Sequence, residues 1–100
     1  MTPQIALDKG KIADFCRHNH IRKLSLFGSV LGPHFRPDSD VDVLVVYKPG
    51  TVLGFKVFKL ESELSALLGG RKVDLVPEKR LNPRLRGRVL DSAETVYAEG

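Results

Sequence analysis

Phe27-Gly28-Ser29-Val30-Leu31-Gly32-Pro33-His34-Phe35-Arg36-Pro37-Asp38-Ser39-Asp40-Val41-Asp42-Val43-Leu44-Val45-Val46-Tyr47 decides the reading of this chain. A Gly-Ser pair is followed by ten residues and then by Asp-x-Asp. Gly28 has no side chain, so its backbone N–H can approach an anion closely, and Ser29 adds a hydroxyl. Asp40 and Asp42 open a strongly apolar run. On a strand, residues i and i+2 point to the same face. Two carboxylates on one face repel each other unless a cation neutralises them. The stretch therefore reads as a phosphate-holding turn facing a divalent-metal site.

Working outward, Ile21 to Phe27 reads as a first strand that feeds directly into Gly28-Ser29, residues 32–39 as a loop, and Asp40 to Tyr47 as a second strand. Beyond Asp42 both faces of this strand are apolar, the pattern of a central strand covered on both sides. Upstream, residues 8–19 have helical spacing, with Asp8 as the N-cap and Ile12, Phe15 and Cys16 on one face. Downstream, Lys48-Pro49-Gly50 is a turn. Residues 51–68 then carry Leu53, Val57, Leu60, Leu64, Leu67 and Leu68 at a spacing of three or four, with Thr51 as a cap and Gly69-Gly70 as a stop. Lys56, Lys59, Glu61 and Glu63 form a polar face expected to meet solvent. Arg71 to Val76 reads as a third strand, ended by Pro77 and interrupted by Asp74, a charge that calls for compensation among apolar neighbours. If this strand lies beside the second, Asp74 joins Asp40 and Asp42. Residues 83–91 suggest a helix and Glu94 to Tyr97 a short edge strand.

The chain has 100 residues, enough for one core, so a single domain over residues 1–100 is expected. Its composition, 42% hydrophobic and 28% charged, is that of a soluble globular protein. No apolar run reaches the roughly 18 residues that span a membrane, so no membrane partner is expected. Met1-Thr2-Pro3-Gln4 shows no secretory pattern. The single Cys16 permits no intrachain disulfide, and a cytoplasmic setting follows as the expectation. Net charge +4 and a pI near 9.5 suit a polyphosphate, a nucleic acid or an acidic partner. Arg71, Lys72, Lys79, Arg80, Arg84, Arg86 and Arg88 concentrate that charge in residues 71–88.

With these residues in place, the chain resembles the minimal nucleotidyltransferases, small relatives of the DNA polymerase β superfamily. Gly28-Ser29, the ten-residue gap, Asp40-x-Asp42 and the later Asp74 carry the resemblance, and Leu26-Phe27 and Pro37-Asp38-Ser39 agree with its usual flanks. It implies an α+β fold of the polymerase β palm type, a mixed β-sheet packed with helices. It also implies that Asp40, Asp42 and Asp74 are the catalytic, Mg²⁺-binding carboxylates, with two ions, and that Gly28 and Ser29 bind the nucleotide. AMP from ATP, or another nucleoside monophosphate from its triphosphate, would then pass to a hydroxyl of a protein partner. The partner implied is a HEPN-type toxin, with this chain as its antitoxin. One departure is Leu31-Gly32, followed by Pro33-His34-Phe35, where the family often has Arg-Gly. It puts the contacts of that Arg in question but not the carboxylate set.

No separate domain for a primer or an RNA end is present, so a nucleic-acid substrate is not expected. An acceptor would approach from outside, on a side bounded by residues 32–39 and by Arg80, Arg84 and Arg86. The alternative is a non-catalytic antitoxin that neutralises its partner by occlusion. The three carboxylates argue against it, since a purely structural protein gains little from grouped like charges. A nucleic-acid-binding domain rests on charge alone and lacks interleaved aromatics.

Overall fold

The computed structural model describes residues 7–28 and 40–99. Ser29 and the expected loop 32–39, with His34 and Arg36, lie outside the described residues. The element order is α1 (Lys9–His18), β1 (Ile21–Phe27), β2 (Val41–Tyr47), α2 (Lys56–Leu67), β3 (Val73–Pro77), α3 (Pro83–Ser92) and β4 (Glu94–Ala98). A short 3-10 turn, Glu78–Arg80, links β3 to α3. The sheet order is β3-β2-β1-β4. β1 pairs antiparallel with β2 and β4, and β2 pairs parallel with β3. This is the mixed sheet that the family resemblance implies.

Strand alternation and register divide the sheet into two faces. Leu24 is opposite Val45, Leu26 opposite Val43, Val41 opposite Val73, and Val43 opposite Leu75. All of these side chains are buried in one cluster with Ile12, Phe15 and Cys16 of α1 and Leu60 and Leu64 of α2. Both helices thus lie on that face, α1 against β1 and β4 and α2 against β3. Full burial of a Leu or Val side chain contributes about 1.5–3 kcal/mol, so this layer is the main source of stability.

The second face holds Ser25 opposite Leu44, with Val76 beyond it, and then Phe27 opposite Asp42, with Asp74 beyond it. The first of these rows is covered, with Ser25 3% and Leu44 2% exposed. The second row is more open: Phe27 and Asp42 are half-buried and Asp74 is exposed.

The ends of the elements follow from local chemistry. Asp8 caps α1 by accepting from the Lys11 N–H at 3.1 Å, worth about 1 kcal/mol. His20 takes a left-handed φ of 57° so that the chain turns straight from α1 into β1, and its carbonyl accepts from the Lys48 N–H at 2.9 Å. His18 Nδ1 lies 2.7 Å from the Asp14 carbonyl. Both histidines therefore have structural places near the α1–β1 turn. α2 begins later than its periodicity suggests, at Lys56, with Phe55 as a cap that makes no side-chain hydrogen bond. Thr51, expected as the cap, instead donates its hydroxyl to the Lys48 carbonyl at 2.7 Å. Gly50 and Gly54, with φ of 82° and 53°, keep residues 51–55 out of the helix.

Candidate functional site

Asp42 and Asp74 are direct partners in the parallel β2–β3 register. Adjacent strands lie about 4.8 Å apart, so two in-register side chains on one face are immediate neighbours. Asp40 precedes β2 and is exposed. The carboxyl of Asp42 is held above the usual carboxylate range, first by burial and then by the negative charges of Asp74 and Asp40. Asp42 thus feels the negative charge of both other carboxylates. The three side chains are not drawn into one ligand shell: among the described residues, no group of three His, Cys, Asp or Glu side chains is gathered to hold a metal. Asp74 also differs from its expected setting. It needs no compensating charge within an apolar core, because it is exposed on an edge strand.

Gly28 follows β1 at the same end of the sheet and has a φ of 77°. A Cβ placed there would lie 2.6 Å from Asp42 Oδ2. The backbone at Gly28 is therefore packed against the carboxylate, in space that only glycine leaves free. The donor set is all oxygen, which suits a hard divalent cation such as Mg²⁺. Gly28 brings its backbone against the Asp42 carboxylate with no side chain in between. The residues present fit a metal–nucleotide group.

One residue at this site has a place that sequence reasoning missed. Glu61, expected to face solvent, accepts a hydrogen bond from the Leu75 N–H through Oε2 at 2.9 Å. Because Val41 N–H donates to the Lys72 carbonyl, alternation along the parallel ladder turns Leu75 N–H outward, away from β2. Glu61 thus occupies the place of a neighbouring strand beside Asp74. One turn further along α2, Ser65 donates its hydroxyl to the Arg71 carbonyl at 2.5 Å. Together they fasten both ends of the segment that carries Asp74. The Glu61–Ser65 spacing of four on the polar side of a helix was a visible signal, though solvated helix faces commonly show the same pattern.

The basic segment lies elsewhere than expected. β2 and β3 start at the carboxylate end and run away from it, so the turn after Pro77 emerges at the far end. There Arg80 lines a groove with Tyr47 and Val52, and Arg86 lines another with Tyr47 and Lys48. Arg86 lies 3.9 Å from Glu78 in an ion pair. Arg80 and Arg86 therefore do not border the carboxylates.

Comparison with known proteins agrees with this geometry. The family described as "Polymerase beta, Nucleotidyltransferase" matches residues 10–99. A Methanocaldococcus jannaschii protein named as a protein adenylyltransferase is 31% identical over 88 residues, 88% of this chain and 92% of that one. The Thermococcus cleftensis protein adenylyltransferase MntA is 40% identical over 77 residues, 77% of this chain and 74% of its own length. A solved structure described as a minimal nucleotidyltransferase superposes with a TM-score of 0.70 at 36% identity, covering 85% of each chain. A toxin–antitoxin structure with AMP-PNP gives a TM-score of 0.72 at 23% identity, covering 93% of this chain and 75% of that one, a likeness of fold. This chain belongs to the polymerase beta nucleotidyltransferase family, as one of its minimal nucleotidyltransferases.

Proposed function

We propose that this chain transfers AMP from Mg²⁺-bound ATP to a hydroxyl of a HEPN-type partner protein and acts as the antitoxin to that partner. The observation that carries the reading is the Asp42–Asp74 register pair on the open row of the sheet, with Gly28 packed against the Asp42 carboxylate. The adenylyltransferase names of the relatives support the nucleotide and the protein acceptor. The partner class is that of a structurally similar Shewanella oneidensis complex, described as a tri-AMPylated HEPN toxin with an MNT antitoxin.

In this reading Asp40, Asp42 and Asp74 hold Mg²⁺, and Gly28 with Ser29 holds the triphosphate. Bound Mg²⁺ supplies charge neutralisation at the phosphates and lowers the pKa of the acceptor hydroxyl. The half-buried Asp42 fixes the position of the nucleotide. Asp74, facing solvent, meets the incoming hydroxyl and takes its proton as the oxygen attacks the α-phosphorus. The bond between the α-phosphorus and its bridging oxygen to the β-phosphate breaks, and pyrophosphate leaves. Positioning and charge stabilisation supply most of the rate.

The test uses ATP labelled at the α-phosphate, Mg²⁺ and the HEPN-type protein of the same organism. Label appears on the partner with wild type and not with Asp42→Asn. A partner that is neutralised yet carries no label overturns the transfer reading in favour of occlusion.

A further inference from the structure

The end of the sheet away from the carboxylates carries an unusual surface. Val52 is 88% exposed, Phe55 89% and Phe58 64%. Phe55 caps α2 and Phe58 follows three residues later in its first turn, on the same side of the helix, and Val52 belongs to the segment leading into it. The rest of α2 is well used, with Leu60 and Leu64 buried. Val52 stands between two grooves. One, of about 690 Å³, is lined by Lys48, Lys56 and Lys59; the other, of about 360 Å³, by Val57, Lys79 and Arg80. Among the described residues Lys56, Lys59, Lys79 and Arg80 form no ion pair. On the acidic side, Glu63 borders the larger groove, and Glu61 is committed to Leu75.

Aromatic anchors inside a charged rim are the composition of a protein interface rather than of a solvated helix end. The rim selects the occupant. A second copy of this chain, docking the same patch across a two-fold axis, would set lysines against lysines. We infer that Val52, Phe55 and Phe58 form a docking surface for an apolar, carboxylate-flanked face of the protein partner, separate from the transfer site. Tyr47 lies five positions beyond Asp42 along β2, roughly 17 Å at about 3.3 Å per residue. The partner is thus held at one end of the sheet and modified at the other. This inference rests on the proposed reading for the existence of the partner.

The experiment compares wild type, Phe55→Ser/Phe58→Ser and Lys56→Glu/Lys59→Glu. Binding to the HEPN-type protein is measured by calorimetry, and ATP·Mg²⁺ affinity, thermal midpoint and sedimentation are measured on each protein alone. The aromatic pair is expected to weaken partner binding at least about 100-fold. The charge reversal is expected to weaken it about 10-fold, more at low salt than at high salt. Nucleotide affinity and thermal midpoint stay at wild-type values, because the replaced side chains face solvent. Unchanged partner affinity in the aromatic variant overturns the surface. A wild-type dimer that this variant converts to monomer, with partner binding intact, assigns the patch to a second copy and also overturns it. Wild type that binds ATP but not the partner removes this surface and the proposed partner together. Binding that depends on Phe55 and Phe58 without AMP transfer leaves the surface standing and removes only the transfer reading.

Discussion

The two ends of the sheet are built by different means. At one end, Phe27, Asp42 and Asp74 form a row across three strands, placed by backbone register and closed by the bare Gly28. At the other, Val52 and Phe55 extend into solvent from a connection held by turn hydrogen bonds, Thr51 to Lys48 and Lys56 to Leu53 among them, and Phe58 from the first turn of α2 beside it. A ladder fixes atoms to fractions of an ångström, which suits chemistry. A connecting segment presents side chains that can adapt, which suits recognition. Changes at the first end should therefore alter rate, and changes at the second should alter affinity.

The strongest break in that comparison is Asp42→Asn. Loss of one charge from the carboxylate set should lower AMP transfer by about 10³-fold or more. The same change should make the protein without divalent cations firmer at neutral pH. The folded state holds the Asp42 proton more tightly than an unfolded chain does, because burial and the charges of Asp74 and Asp40 oppose ionisation. Stability is thus lost as pH rises from the unfolded carboxyl value through the raised folded one, and the loss persists above it. Asparagine escapes that loss. Thermal unfolding in chelator should place the variant at or above wild type at pH 7, with the difference closing below about pH 4. Added Mg²⁺ should raise the wild-type midpoint more than that of the variant. A variant that melts well below wild type at pH 7 would make Asp42 a member of a buried ion pair instead.

Gly28→Ala comes next. The left-handed φ costs a non-glycine residue about 1–2 kcal/mol, and the added Cβ would meet Asp42 Oδ2 at 2.6 Å. We expect a loss of about 1–2 kcal/mol in denaturant unfolding and a larger proportional fall in transfer, since the displaced group is Asp42 itself. An equal alanine effect at Gly69, whose φ is 83° but whose Cβ would meet nothing within 4 Å, should appear in stability alone. If Gly69→Ala reduces transfer as much as Gly28→Ala, the closeness to Asp42 has no functional weight.

A smaller effect is expected at Glu61, which sharpens the comparison by testing how the edge strand is held. Glu61→Ala leaves the Leu75 N–H without its carboxylate, at a cost of about 1–3 kcal/mol. Gln retains an acceptor oxygen, so Glu61→Gln should recover most of both stability and transfer. Hydrogen exchange at Leu75 reports the contact directly: fast in the alanine variant and slow in the other two. Equal exchange in all three would remove Glu61 from the positioning of Asp74.

Much of this arrangement was legible in the sequence. β1 was readable at its observed bounds, Ile21 to Phe27, because alternation and the Gly-Ser turn agree. The sequence made the adjacency of Asp74 to Asp42 conditional on the third strand lying beside the second, and the parallel register puts it there. What was not legible depended on three dimensions. Leu53 extended the helical pattern of α2 backwards, although positive φ at Gly54 stops the helix short of it. Glu61 looked solvated because its partner is a backbone group fourteen residues away. Arg80, Arg84 and Arg86 were placed by charge beside the carboxylates. Strand direction settles the matter otherwise: Asp42 and Asp74 lie near the starts of parallel strands, so whatever follows β3 emerges at the opposite end.

The smallest expected effect is also at that opposite end. The Tyr47 ring packs against the core with Leu53 and Val57. Its hydroxyl is buried and finds no hydrogen-bond partner among the described residues. Burial raises its pKa, the charge of Glu61 raises it further, and Arg80 pulls it back in part. The phenol therefore stays neutral throughout the physiological range and contributes no charge to the surface around Val52. A buried hydroxyl without a partner costs desolvation and returns nothing, so Tyr47→Phe removes a cost and leaves the ring contacts intact. Denaturant unfolding should show the variant equal to wild type or firmer by up to about 1 kcal/mol, with AMP transfer unchanged. Partner binding should be unchanged as well, because the side chains proposed to bind are the exposed ones and not the buried phenol. A loss above about 1.5 kcal/mol would show that the hydroxyl makes a hydrogen bond in solution. A loss of partner binding alone would move the docking surface from Phe55 and Phe58 into the groove beside Tyr47.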